Sequence, residues 1–110
     1  MNMNEYQELA ARTINKSLIP WEQTMHALHL IAAESGEIHG IFQKHYQGHK
    51  FDLNHLMKET GDLLWGIAEL CTSFGWSLED VAEINILKLT ERYPEGFSAE
   101  KSEHRKEGDV

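Results

Sequence analysis

The chain is expected to fold as an all-α domain of four helices, with its bundle completed by oligomerisation. Three observations predict that class. Val, Ile and Thr never alternate with polar residues over the length of a strand, so no sheet is expected. Apolar residues recur instead at spacings of three and four, the period of a helix with one buried stripe. The only prolines, Pro20 and Pro94, bracket most of that periodicity, leaving the interior free of helix breakers.

The first helix is predicted from about Asn4 to Ile14, with Asn4 as its cap and Tyr6, Leu9, Ala10 and Thr13 along one side. Pro20 suits the first turn of the second, which runs to about His45 and stops near Gly48. Asp52 is placed to cap the third, whose apolar spacing lasts to Phe74 before Gly75 ends it. Ser77 and Asp80 have the capping spacing for a fourth helix from Leu78 to about Arg92, closed by Pro94 and Gly96. Residues 98–110 are almost wholly polar and lack the apolar area to offset their ordering entropy, so a flexible C-terminal tail is expected beyond a domain spanning 1–97.

The 110 residues suffice for one domain, and 41% hydrophobic with 25% charged residues is the composition of a globular protein. Ten Lys and Arg against eighteen Asp and Glu give a net charge of -8, which argues against a nucleic-acid polymer as partner. The single Cys71 excludes an internal disulfide and a cysteine-based zinc site. No apolar run reaches the ~20 residues of a membrane span, and the opening Met-Asn-Met-Asn-Glu does not read as a signal peptide, so a cytoplasmic protein with no membrane partner is expected.

The acids carry the functional signal. A helix turns about 100° per residue, so Ala27, Leu30, Ile31, Ile38 and Ile41 all fall within about 60° of Glu34, and Glu37 falls about 60° to its other side. On the third helix, Leu56, Leu63, Gly66, Leu70 and Phe74 cluster in the same way around Glu59, together with Asp62. Two acid pairs therefore occupy apolar stripes, where an ionised carboxylate costs several kcal/mol even after relaxation. A domain stable by ~5–15 kcal/mol does not leave four such charges uncompensated. Divalent cations are the economical compensation, and an all-oxygen ligand set favours Mg²⁺, with Mn²⁺ as a substitute. On the fourth helix, Lys88 and Arg92 lie within about 60° of Asn85 on the side that carries Leu78, Val81, Ala82 and Leu89. Two cations and an amide donor there suit an anion, and a metal polyphosphate is the natural guest.

The segments Glu34-Ser-Gly-Glu37 and Glu59-Thr-Gly-Asp62 resemble the ExxE…ExxD signature of the MazG-like all-α nucleoside triphosphate pyrophosphohydrolases. The stretch from Asn85 to Phe97, with Arg92-Tyr-Pro-Glu-Gly-Phe97, is similar to the ending of single-domain phage and bacterial members, and Glu5-Tyr-Gln7 to their opening. The resemblance covers about residues 4–97 and implies a Mg²⁺-dependent helical enzyme, at least a homodimer or a dimer of dimers. Such an enzyme hydrolyses the α–β phosphoanhydride of a nucleoside triphosphate to monophosphate and pyrophosphate. It also implies Glu34, Glu37, Glu59 and Asp62 as metal ligands, and Asn85, Lys88, Arg92 and Tyr93 facing phosphates or sugar. Either Glu37 or Glu59 takes the proton of the attacking water; spacing leaves the two open.

Three other readings fit less well. A non-catalytic metal- or nucleotide-binding regulator would be favoured by loss of one of the four acids, and all four are present. Phosphoribosyl-ATP pyrophosphohydrolase shares the architecture, but the opening and ending of this chain fit the MazG-like branch better. A di-iron bundle requires Glu-x-x-His pairs that the sequence lacks. The seven histidines are read as surface residues, Trp65 as an interface residue, Trp21 as an open candidate for base stacking and Cys71 as an inert buried thiol.

Overall fold

The computed structural model describes all 110 residues. It holds five helices and no strand: α1 (Met3–Ala11), α2 (Pro20–Tyr46), α3 (Leu53–Ser73), α4 (Leu78–Arg92) and α5 (Ala99–Glu103). The chain forms two compact units, Met1–Leu78 and Glu79–Val110. No helix is long and apolar enough to cross a membrane.

In the first unit, α2 and α3 form an antiparallel hairpin. Thr24 Oγ1 donates to Ser73 Oγ at 3.0 Å, His26 Nδ1 lies 2.7 Å from Glu69 Oε1, and Leu30 and Ile31 pack on Gly66, so numbers fall on one helix as they rise on the other. Gly66 permits the closest approach: a Cβ there would stand 2.7 Å from Leu30 Cδ2 and 3.0 Å from Ile31 Cγ1. The hairpin is tied at both ends by local chemistry. Gly48, at φ 96°, lets His49 N–H reach back to Lys44 O at 3.0 Å and closes α2. Asp52 Oδ1 then accepts from His55 N at 3.0 Å and opens α3. Gly75, at φ 71°, ends α3 in the same manner, with Trp76 N–H on Cys71 O at 2.9 Å.

The cap of the first helix lies two residues before its expected place. Asn2, not Asn4, is the N-cap: its Oδ1 accepts from Glu5 N at 2.9 Å and its Nδ2 donates to Glu5 Oε1 at 2.7 Å. The helix also stops at Ala11, short of Ile14, which is buried in the turn that follows. Polar links hold α1 and the turn after it on α3 and on the residues that follow α3. Trp65 Nε1 donates to Thr13 Oγ1 at 2.8 Å, and Gln7 Nε2 donates to Thr72 Oγ1 at 3.1 Å and Trp76 O at 2.9 Å. Gln7 Oε1 also accepts from Leu78 N at 2.6 Å.

In the second unit, α4 carries Ile84, Ile86 and Leu87 more than 60% exposed, an apolar supply that the monomer does not cover. Residues 98–110, expected to be a loose tail, contain the single turn α5, opened by Ser98 Oγ accepting from Lys101 N at 3.3 Å. Beyond it, Asp109 Oδ2 accepts from Arg92 Nε at 2.7 Å. Capping and an ion pair, rather than apolar burial, hold this segment.

Candidate metal centre

The hairpin register brings Glu34 of α2 beside Glu59 and Asp62 of α3. One carboxylate oxygen from each lies within 4.8 Å of the other two. Glu34 and Glu59 are half-buried, whereas Asp62 is exposed on the open side of the cluster. Glu37, one turn further along α2, is exposed and stands outside this three-acid group. The convergence is thus narrower and wetter than four carboxylates in a common interior.

The electrostatics of the cluster are those of a site with too few positive charges. A hydrogen bond shared with Glu59 pushes the Glu34 carboxyl up to about 7, helped by burial and by the negative charges of Glu59, Asp62 and Glu37. The other Glu34 oxygen, Oε2, is buried without a hydrogen-bond partner. A buried carboxylate oxygen lacking a partner is costly. A divalent cation would supply it one, and three carboxylates with solvent access on the Asp62 side form an all-oxygen donor set suited to a hard ion. The residues present therefore fit Mg²⁺ or Mn²⁺.

Two neighbours of the cluster are not evident from the sequence pattern. His55 Nε2 lies 3.1 Å from Glu59 Oε1, one helical turn away, so the imidazole orients that carboxylate. The i, i+4 spacing of His55 and Glu59 is the one available signal. The Tyr6 phenol of α1 has a raised pKa, through burial first and then through the negative charge of Asp62. No pattern in α1 indicates this.

A second buried acid lies further along the hairpin. Glu69 is only 1% exposed, with Oε1 held by His26 and Oε2 unpartnered. His26 in turn meets the edge of Trp65 at a centroid distance of 6.2 Å. Trp65, expected to face a subunit interface, is half-buried within this unit, bonded to Thr13 on the segment after α1 and set against His26. Trp21 is 68% exposed. Cys71 is a buried free thiol whose pKa burial pushes up.

In the second unit, Asn85 is exposed, while Lys88, Arg92 and Tyr93 are half-buried. Tyr93 packs on Phe97 at 5.5 Å. The Arg92 guanidinium is held charged chiefly by its hydrogen bond to Asp109, and its NH2 group is buried with no partner. Asp109 is correspondingly lowered, by that hydrogen bond first and then by the charges of Arg92, Arg105 and Lys88. The Arg92 guanidinium thus already accommodates an oxyanion.

The family model of the MazG nucleotide pyrophosphohydrolase domain matches residues 3–97. The chain belongs to this family. The MazG match runs through α1 to α4, covering both acid pairs and the Asn85–Tyr93 segment. No curated protein and no solved structure matches the chain. Membership makes it a nucleotide pyrophosphohydrolase by family and accounts for the all-helical fold without strands.

Proposed function

We propose that this MazG-family protein is a Mg²⁺-dependent nucleoside triphosphate pyrophosphohydrolase that cleaves between the α- and β-phosphorus to give a monophosphate and pyrophosphate. The observation that carries this reading is the convergence of Glu34, Glu59 and Asp62 around a buried oxygen without a partner. Mg²⁺, or Mn²⁺ in its place, would be held by these three with Glu37 as the fourth ligand, and when bound supplies Lewis-acid polarisation of phosphoryl oxygens and acidifies water.

The remaining work falls to side chains. His55 holds the Glu59 carboxylate in one orientation, which fits Glu59 to bind rather than to move a proton. The Glu37 carboxylate is exposed and makes no hydrogen bond within the chain, so one of its oxygens would accept the proton of the attacking water while the other serves as a ligand. Lys88 and Arg92 bring positive charge and donors to the phosphates, Arg92 by exchanging Asp109 for a phosphate oxygen, while Asn85 and Tyr93 contact phosphate or sugar. The domain is read as residues 1–97, with 98–110 as a C-terminal extension. The exposed Ile84, Ile86 and Leu87 support a homodimer, or a dimer of dimers, as the working assembly.

The test is pyrophosphate release from a panel of ribo-, deoxyribo- and modified nucleoside triphosphates with Mg²⁺ or Mn²⁺. Release of pyrophosphate and monophosphate in equal amounts from at least one nucleotide is expected, with loss of turnover in Glu37→Gln and Glu59→Gln. Release of orthophosphate instead, or full turnover by both variants, would refute the assignment.

A further inference from the structure

The family match ends at residue 97, and the residues beyond it reach back onto the side chains of α4. Apolar burial does not put them there. Ala99 and Val110 are the only apolar side chains in 98–110, and both are exposed. The placement comes from polar contacts within the second unit. Asp109 N–H donates to Lys106 O at 3.0 Å, and Gly108 between them adopts φ 86°, which closes a tight turn. The turn aims the Asp109 carboxylate at Arg92, whose Nε donates to Oδ2 at 2.7 Å with the two side chains only 18% and 12% exposed.

The same segment lies against a second cation. Lys88, one turn before Arg92 on α4, lines a single cavity of about 400 Å³ together with Lys106, Gly108 and Asp109. The lowered Asp109 carboxyl reflects the Arg92 hydrogen bond first and then the charges of Arg92, Arg105 and Lys88, so it stays ionised where it faces both. An internal carboxylate thus stands where the phosphate contacts of α4 have been assigned. Its hold is incomplete. Arg92 Nη2 is buried with no partner, so Asp109 satisfies one donor of the guanidinium and leaves another unmet. A phosphate group carries more charge and enough oxygens to meet both donors, which favours exchange.

We propose that residues 106–110 form a displaceable inhibitory strap, in which Asp109 occupies Arg92 beside Lys88 and a phosphate-bearing ligand must release it in order to bind. The inference rests on the reading of Lys88 and Arg92 as phosphate contacts and adds self-inhibition to that site. A single ion pair between partly exposed partners is weak, so the strap is closed for roughly a half to four-fifths of the time. The apparent affinity of a ligand that displaces it is then cut about two- to fivefold, by the fraction of chains that are open.

The experiment uses the full chain, labelled with ¹⁵N and titrated with Mg²⁺ tripolyphosphate. Amide relaxation reads the mobility of 106–110, the Arg92 Nε–H resonance reads the contact, and calorimetry gives the affinity. Asp109→Asn is compared with Asp109→Glu, which keeps the charge, and with Glu103→Gln, which removes an exposed charge of α5 outside this cavity. Tripolyphosphate affinity is expected to rise about two- to fivefold in Asp109→Asn and to stay near wild type in the other two. Saturation of the wild type should shift the Arg92 resonance and set 106–110 moving. An Asp109→Asn affinity equal to that of Glu103→Gln, or a segment as rigid at saturation as before, would overturn the strap. If nucleotide turnover were normal in that case, the hydrolytic reading would stand without it. Protein inert toward every nucleotide, yet with the strap released by tripolyphosphate and the affinity raised in Asp109→Asn, would keep the strap and overturn the hydrolytic reading. Tripolyphosphate that binds neither the wild type nor Asp109→Asn would overturn the strap together with the phosphate role of Lys88 and Arg92.

Discussion

Glu34 links the acid cluster to pH in a way that can be read without substrate. Its carboxyl sits at about 7 in the folded protein against 4.5 for the free group, through the hydrogen bond shared with Glu59, burial and three negative neighbours. Between those values the folded protein holds a proton that the unfolded chain has released. Metal-free stability from this group is therefore fully present below about 4.5 and is lost as pH rises through about 7. Each tenfold difference in proton affinity between the folded and unfolded chain corresponds to at most about 1.4 kcal/mol, and solvent access to the cluster brings the whole effect to roughly 1–3 kcal/mol. A divalent cation competes with the same proton, so its apparent affinity should rise by up to about tenfold per pH unit until about pH 7 and then level off. Thermal unfolding in chelator across this range, with Mn²⁺ titrations at the same pH values, measures both slopes. Glu34→Gln, which carries no titrating group, should flatten the stability slope and weaken Mn²⁺ at every pH. An unchanged stability slope in Glu34→Gln, or Mn²⁺ affinity independent of pH below 7, would refute the reasoning.

Three further outcomes follow from particular contacts. Gly66→Val drives a branched side chain into Leu30 and Ile31 and should cost about 2–3 kcal/mol in denaturant unfolding, weakening Mn²⁺ binding as the hairpin is forced apart; full stability would mean that α2 and α3 are not in close contact there. His26→Ala leaves the buried Glu69 with neither oxygen bonded and should cost about 1–3 kcal/mol, measured by urea denaturation, whereas His26→Ala paired with Glu69→Leu should regain most of it. Asp109→Asn releases Arg92 from its internal acid and should lower KM for a nucleotide roughly two- to fivefold with kcat nearly unchanged; a raised KM would mean that Asp109 itself aids binding.

The elements governed by local chemistry are legible in the sequence. Pro20 at the first turn of α2, Asp52 before α3, and Gly48 and Gly75 beyond the helix ends set the boundaries through backbone geometry that depends on a few adjacent residues. Asn2 is easily overlooked as a cap because Asn4 offers the same side chain two positions later, and each has a Glu or Gln three residues on. Helical angles put the acids on the faces of α2 and α3 that meet, and three of them do converge. Depth is not legible: helical angles give direction but not distance from solvent, so Asp62 and Glu37 share the facing side and still remain exposed. Contacts that depend on which turn of one helix meets which turn of another, such as Glu69 with His26 and Trp65 with Thr13, require the hairpin register, which no spacing within one helix contains.

Anomalous diffraction at the manganese edge, from crystals grown with Mn²⁺, tests the cation-holding role of the three converging acids most directly. A peak within about 2.5 Å of carboxylate oxygens of Glu34, Glu59 and Asp62 is expected, with the Glu34 oxygen that now lacks a partner among its ligands. Density at saturating Mn²⁺ that leaves this cluster without an ion would contradict it.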